Sequence, residues 1–283
     1  MTRSADGWTS ARVAETAVGV TLGAGVVALA GVSETPRLDA ELLLCSVLGV
    51  NRAQLVIDRD EPVGGAAGER FWTLVDRRAA SEPVAYILGQ RAFRHLELDV
   101  DRRVLIPRPE TELLVEVGLS LPSGASVVDV GTGSGAVALA LKDERPDLRV
   151  LGVDVSADAV SVARANASRL GLDVRVFVGD LLSGVGRVDA VLANLPYVED
   201  DAALPPDVVR FEPAGALFGG PDGLDLVRRL MAQSSAPLLA LEIAPDQARA
   251  VAGLMGDAGY AGVEVLHDLA GRERVVVGRE YEP

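Results

Sequence analysis

Apolar positions along the first third of the chain recur at the three- and four-residue spacing of amphipathic helices. Three such stretches run from about residue 10 to 82: "SARVAETAVGVTLGAGVVALAG", "PRLDAELLLCSVLG" and "GGAAGERFWTLVDRRAAS". In the second, Leu38, Leu42, Leu43, Leu44 and Leu48 fall largely on one face, with Pro36 at the entry and Gly49 at the exit, where a helix tolerates each. Residues 1–82 are therefore predicted to form a helical bundle domain. Alternation then begins around Leu96, Leu98 and Val100, so 83–108 reads as a β-hairpin linker. From 109 to 283 helix-like stretches alternate with short apolar runs: "ASVVDVG", "LRVLGVDV", "VRVFVGD", "VDAVLANLP", "PLLALEI", "GVEVLHD" and "RVVVGRE". Continuous apolar strands separated by helices predict an open, mostly parallel α/β sheet covered on both faces. The last two runs lack a helix-length spacer, which predicts an antiparallel hairpin at the sheet edge.

The uncharged stretch 16–33, "TAVGVTLGAGVVALAGVS", changes this picture only if it crosses a membrane or leads secretion. It is rich in Gly and Ala, bounded by Glu15 and Glu34, and preceded by Asp6 instead of a basic segment. An internal core helix, no membrane association and a cytoplasmic location are expected. The single cysteine, Cys45, cannot close an internal disulfide and suits a buried apolar role. A net charge of −14 argues against a protein that grips duplex nucleic acid, which needs a basic footprint. Lys142 is the only lysine. No metal site is expected.

Chemistry concentrates at the carboxyl ends of the predicted strands. "VVDVGTGSGAVALAL" places Asp129 at a strand end and Gly131, Thr132, Gly133, Ser134 and Gly135 in the turn before a helix. Glycines there permit positive φ and close backbone approach to a ligand, and the helix start offers free N–H groups. The spacing is G-x-G-x-G, without the third glycine of pyrophosphate-binding loops. The next strand ends on Asp154, about 20 residues on, where a carboxylate can accept from both ribose hydroxyls. The third ends on Asp180, placed to read an adenine amino group, with Leu181 and Leu182 flanking the ring. Each acid alone could be a helix N-cap; three successive strand ends together point to an adenosine-bearing cofactor without pyrophosphate. S-adenosylmethionine fits that description.

The fourth strand ends in "ANLPY" and is expected to emerge beside the third, over the same crevice. The Asn194 side-chain oxygen and a nearby backbone carbonyl can both accept from one NH2 group, and Tyr197 can stack on a planar amide or base. No general base lies in the tetrapeptide, so catalysis would rest on positioning and on polarising N–H bonds. The plainer reading is an Asn-Pro turn closing a strand.

Taken together these segments resemble the protein-(glutamine-N5) methyltransferases of peptide chain release factors, the PrmC/HemK family. The resemblance covers nearly the whole chain: "PRLDAELLL", "EPVAYILGQRAF", "LIPRPETELLVE", "DVGTGSGAVALAL", "ANLPY", "FEPAGALFGGPDGLD" and "RERVVVGR". "LIPRPETE" and "GGPDGLD" are far more specific than a glycine loop. The resemblance implies a class I S-adenosylmethionine-dependent methyltransferase, Rossmann-like with a mostly parallel seven-stranded sheet, behind an N-terminal helical domain that helps dock the substrate. It implies that Gly131–Gly135, Asp154, Asp180 and Leu181 hold the cofactor and that Asn194 contacts both cofactor and substrate. Asn194, Leu195, Pro196 and Tyr197 would form the acceptor site, with Asn194 and Tyr197 the catalytic pair. Ile106–Thr111 would line it, although Arg108 and Glu110 also suit ordinary ion pairs. The implied substrate is the glutamine of the Gly-Gly-Gln tip of a class-1 release factor, taken by a monomer without direct nucleic-acid contact.

One position departs from the family pattern Asn-Pro-Pro-Tyr: Leu195 stands where the first proline would be. Proline restrains the preceding residue to extended geometry, so a retained but less rigid acceptor site is expected. Three other readings stay open: a paralogue methylating another protein's glutamine, an adenine-N6 methyltransferase of nucleic acid, and a non-catalytic binding protein. The charge weighs against the second, and the presence of Asp154, the glycine loop and Asn194 weighs against the third.

Overall fold

The computed structural model describes residues 16–280; the segment 10–15 of the first predicted helical stretch, with Asp6, lies outside them. Contacts divide the chain into two units, one made of residues up to Gly89 together with Pro206–Phe211, the other of Gln90–Pro205 and the residues from Glu212 on.

The first unit begins with a two-residue strand, β1 (Thr16–Ala17), paired antiparallel with β2 (Pro62–Val63). The uncharged stretch becomes the 12-residue helix α1 (Val18–Leu29), which turns Val18, Thr21, Gly25 and Leu29 inward. Gly25 is there because Phe71 needs its space: a Cβ would lie 2.6 Å from the ring. Among the described residues no helix is long and apolar enough to cross a membrane. Helix α2 (Pro36–Leu48) starts on its proline and stops at Gly49, whose φ of 69° is left-handed. Asn51 caps α3 (Arg52–Ile57) by accepting from the Gln54 N–H. Helix α4 (Gly65–Ala79) buries Phe71, Trp72 and Val75, and its buried Arg78 bonds Asp39 of α2 at 2.7 Å. The short helix α5 (Val84–Leu88) ends the contiguous part of the unit.

In the second unit, β3 (Gln90–Phe93) and β4 (Leu96–Asp99) form an antiparallel hairpin. The segment 83–108 is thus not one hairpin: 84–88 is helical, and the strands occupy only 90–99. Leu96 and Leu98 insert into the core of this unit. Fully buried Asn166 fastens the hairpin, accepting from the Asp99 N–H at 2.8 Å and donating to the Asp99 carbonyl at 3.0 Å.

After a 3-10 turn, Pro109–Thr111, and helix α6 (Glu112–Leu119), the main sheet begins. The elements that follow in the chain are β5 (Ser126–Val130), α7 (Ala136–Glu144), β6 (Arg149–Asp154), α8 (Ala157–Leu170), β7 (Arg175–Val178), β8 (Ala190–Ala193), α9 (Pro206–Phe211, which belongs to the first unit), α10 (Asp225–Gln233), β9 (Leu238–Glu242), α11 (Ala248–Asp257), β10 (Gly262–His267) and β11 (Glu273–Arg279). The seven strands lie in the order β10-β11-β9-β8-β5-β6-β7. Only the pairs made by β11 are antiparallel, to β10 and to β9. The expected edge hairpin is present.

The fourth strand is not where the sequence reading placed it. β8 lies beside β5, not beside β7. After β5, β6 and β7 have been laid down in one direction, the chain crosses back and winds the other way from β5. Strand order reverses between β5 and β8, which opens a crevice outside their carboxyl ends.

Candidate functional site

The glycine loop and Asn194 meet at that reversal. Val130 and Ala193 are register partners at the ends of β5 and β8, so Gly131 and Asn194 leave the sheet side by side. A Cβ on Gly131, whose φ is +73°, would lie 3.3 Å from Leu195 Cδ2 and 3.4 Å from the Asn194 carbonyl oxygen. The loop is pinned to the neighbouring strand, since Gly131 and Thr132 both donate their N–H groups to the Val153 carbonyl, at 2.9 and 3.1 Å.

Asp154 ends β6 facing this loop. Its Oδ2 accepts from the Gly133 N–H and its Oδ1 from the Ser156 N–H, each at 2.9 Å. Burial pushes its carboxyl above the ordinary aspartate value, and these backbone bonds oppose that. The side chains of Thr132 and Ser134 turn inward: Thr132 Oγ1 donates to Asp129 Oδ2 at 2.7 Å, and Ser134 is buried. Desolvation pushes Asp129 up to about 6. Gly135 caps α7 in a left-handed conformation, its missing Cβ leaving room for Leu139 at 2.9 Å.

A crevice of about 260 Å³ opens between these groups, bordered by Gly131, Gly133, Asp154, Leu181, Asn194 and Leu195. Leu181 is buried yet holds a φ of +53°, one of three positive values among the described non-glycine residues. Such strain persists only where the surroundings enforce it. Asp180 also borders the crevice, but its exposed carboxylate pairs with Arg229 at 2.6 Å. Leu182 borders a separate hollow with Gln233 and Ser234, away from the crevice that Leu181 lines.

Four other parts of the chain hold the Asn-Leu-Pro-Tyr segment. From one side, Asn194 Nδ2 donates to the Thr111 hydroxyl at 3.1 Å. Thr111 closes the 3-10 turn of "IPRPET", is buried, and has its hydroxyl beside the carboxyl of Glu242, whose ionised form it favours. From behind comes the loop "GGPDG", where glycine is obligatory. A Cβ on Gly219 would lie 2.3 Å from the Pro196 carbonyl oxygen, and one on Gly223 2.0 Å from that of Tyr197. Gln247 Nε2 donates to the same Tyr197 carbonyl at 3.0 Å. Lastly, Leu195 is 5% exposed and packs with Val130, Val153, Leu181 and Val191. Where the family pattern has a proline that stiffens the backbone, this chain anchors the segment by burying an apolar side chain.

Arg108 and Glu110 are both ion-paired. Arg108 bonds buried Glu212, which also accepts from the Ile106 N–H at 3.3 Å. Glu110 faces Arg272 at 3.4 Å and Arg274 at 3.6 Å. The hydroxyl of Tyr197 is pushed up to about 12, first by burial and then by Glu242, so it stays protonated.

Sequence reasoning placed Thr111 along the site, within Ile106–Thr111, but missed Glu242, Gln247 and the two glycines Gly219 and Gly223 as parts of it. A signal existed for Glu242: it ends the apolar run "LLALE" at the same sheet edge as Asp154.

The crevice suits an adenosyl sulfonium compound. Its loop holds Gly131 at a positive φ close against Leu195, Asp154 and Asp180 border it, and Leu181 gives it an apolar wall. A sheet of this order with that loop after its central strand defines a class I S-adenosylmethionine-dependent methyltransferase. A methyltransferase from Pyrococcus furiosus shares this fold, with a TM-score of 0.53 at 17% identity, covering 68% of this chain and 92% of that one.

The sequence comparisons narrow the class. Residues 22–89 match the PrmC N-terminal domain and residues 93–210 the methyltransferase small domain. The release factor glutamine methyltransferase of Rhodospirillum rubrum is 42% identical over 269 residues, covering 91% of this chain and 82% of the relative. That of Moorella thermoacetica is 44% identical over 268 residues, covering 89% and 94%. The chain belongs to the release factor glutamine methyltransferase family.

Proposed function

We propose that the protein moves a methyl group from S-adenosylmethionine to the side-chain amide nitrogen of the glutamine in the Gly-Gly-Gln tip of a class-1 peptide chain release factor, leaving S-adenosylhomocysteine and releasing one amide proton. The hydrogen bond from Asn194 to Thr111 carries this reading. With Nδ2 engaged, Oδ1 is the atom left for the acceptor, and an oxygen takes an N–H. A primary amide offers two.

The cofactor, when bound, supplies a sulfonium-activated methyl group. Everything else falls to the chain. Asn194 Oδ1 and the Leu195 carbonyl hold the two amide N–H bonds, which draws electron density toward a nitrogen that resonance makes a poor nucleophile. Pro196 and Tyr197 flank the planar amide and keep water from it. Gly131, Thr132, Gly133, Ser134 and Gly135 give the cofactor its close backbone floor, and Asp154 accepts from the ribose hydroxyls. Leu181 lies against the adenine, and Asp180 borders it. The helical unit helps dock the release factor. The protein works in the cytoplasm, where release factors act, as a monomer and without direct contact to nucleic acid.

The test is to incubate the protein with S-adenosylmethionine and a release factor and to locate the methyl group by mass spectrometry. A methyl on the Gly-Gly-Gln glutamine is expected. A methyl found only on adenine, or on another protein, overturns the reading.

A further inference from the structure

Glu242 is the least comfortable group in the second unit. It ends β9, is 3% exposed, and its Oε2 has no hydrogen-bond partner, alone among the described buried side-chain oxygens and nitrogens. A buried carboxylate left half-satisfied costs stability, so its position calls for a compensating role.

Its neighbours supply one. Ala193 and Leu241 are register partners in the parallel pair β8–β9, so the next residues, Asn194 just past β8 and Glu242 at the end of β9, stand side by side at the sheet edge. Thr111 joins them, accepting from Asn194 Nδ2 at 3.1 Å, with its hydroxyl beside the Glu242 carboxyl, whose ionised form it favours. A hydroxyl has one proton. While Glu242 is a carboxylate it can only accept, so Thr111 must donate to it and turn its lone pairs to Asn194. Asn194 then has to present its NH2 to Thr111 and its Oδ1 to the crevice. A protonated Glu242 removes that constraint: it can donate to Thr111, which can then donate to Asn194 Oδ1, leaving the NH2 facing the acceptor amide.

We propose that Glu242 is a positioning residue for methyl transfer, acting through Thr111 to hold Asn194 with Oδ1 toward the acceptor. The proposal rests on the glutamine-amide reading above and deepens it. Besides Thr111, the charged and titratable groups facing Glu242 are Glu110 of the 3-10 turn, Arg108 before it, Arg274 of β11 and Tyr197 after β8. Burial, with Glu110, pushes the Glu242 carboxyl up to about 7 against the pull of Thr111, Arg274 and Arg108. The ionised, ordering form therefore gains population as pH rises through neutrality.

The experiment measures single-turnover methylation of a release factor between pH 6 and 8.5, with cofactor affinity followed by calorimetry. Wild-type protein should show a rate rising with pH through about 7. Glu242→Gln, whose amide can donate to Thr111, should lose that limb and fall about 100-fold in rate at pH 8, the size of effect that misplacing a reacting group produces, with cofactor affinity retained. Thr111→Val should reproduce the loss, and Thr111→Ser should recover most of it. A wild-type protein that methylates release factor while Glu242→Gln keeps both its rate and its limb overturns the positioning role alone. Equal rates in Thr111→Val and wild type do the same, even if Glu242→Gln does not fold. Absence of methylation by wild type overturns the parent reading instead.

Discussion

Replacing Glu242 with glutamine should change how stability depends on pH. An ordinary glutamate titrates at 4.5, and burial pushes Glu242 up to about 7. Because the folded value is the higher one, the native chain still holds this proton between pH 4.5 and 7 while the unfolded chain has released it. Stability is therefore greatest below 4.5, falls as pH rises through this window, and is flat above it. At 1.36 kcal/mol per pH unit, a gap from 4.5 to about 7 corresponds to about 3 kcal/mol lost by pH 8. Glutamine carries no such proton. Urea unfolding of both proteins at pH 5 and pH 8 gives four stabilities. The fall between the two pH values should be about 2.5 kcal/mol larger for wild type than for the variant, because at pH 5 the unfolded chain has already released most of this proton. The fixed cost of a buried glutamine amide cancels in that double difference, as do Asp129 and Asp154, whose carboxyls burial also raises. Equal pH dependence in the two proteins would refute the reasoning.

Three further outcomes follow from the same geometry. Asn194→Ala should lower the turnover rate by about 100- to 1000-fold, the loss typical of one preorganised hydrogen-bonding group, with cofactor affinity by calorimetry mostly intact; weakened cofactor binding at normal turnover would contradict the assigned role. Asp154→Ala should weaken S-adenosylmethionine binding by about 10- to 100-fold, the range for losing hydrogen bonds to a charged group, and equilibrium dialysis reads this directly. Gly223→Ala forces a methyl within 2.0 Å of the Tyr197 carbonyl at a φ of +70°. It should cost about 2–5 kcal/mol in urea unfolding and lower activity through displaced acceptor residues.

The winding of the sheet was readable because seven apolar runs alternate with helices, and the edge hairpin because the last two runs lack a spacer. The glycine loop and Asp154 were readable because each closes a run. Strand order was not, because nothing local in "VDAVLANLP" distinguishes a strand laid beside β7 from one laid beside β5; that choice belongs to the crossover connection. Beyond the Ile106–Thr111 segment, the scaffold behind Asn194 was invisible for a related reason. Glu242 is 48 residues beyond Asn194, and only the pairing of β8 with β9 brings the two together. The anchoring of Leu195 is another such case. From its neighbours it looked like the loss of a stiffening proline, but Val153 and Leu181, remote in sequence, convert it into a packing anchor.

Pro206–Phe211 is separated by more than a hundred residues from the rest of the unit it belongs to. The polypeptide passes from one unit to the other at three points, after Gly89, after Pro205 and after Phe211. No single cut separates them. A fragment beginning at Gln90 would still carry α9, with buried Phe211 and with Asp207 deprived of Arg78, which it faces at 3.9 Å in the whole chain. Swapping the helical unit between relatives to change substrate preference thus requires exchanging two segments in register, the leading bundle and this one short helix.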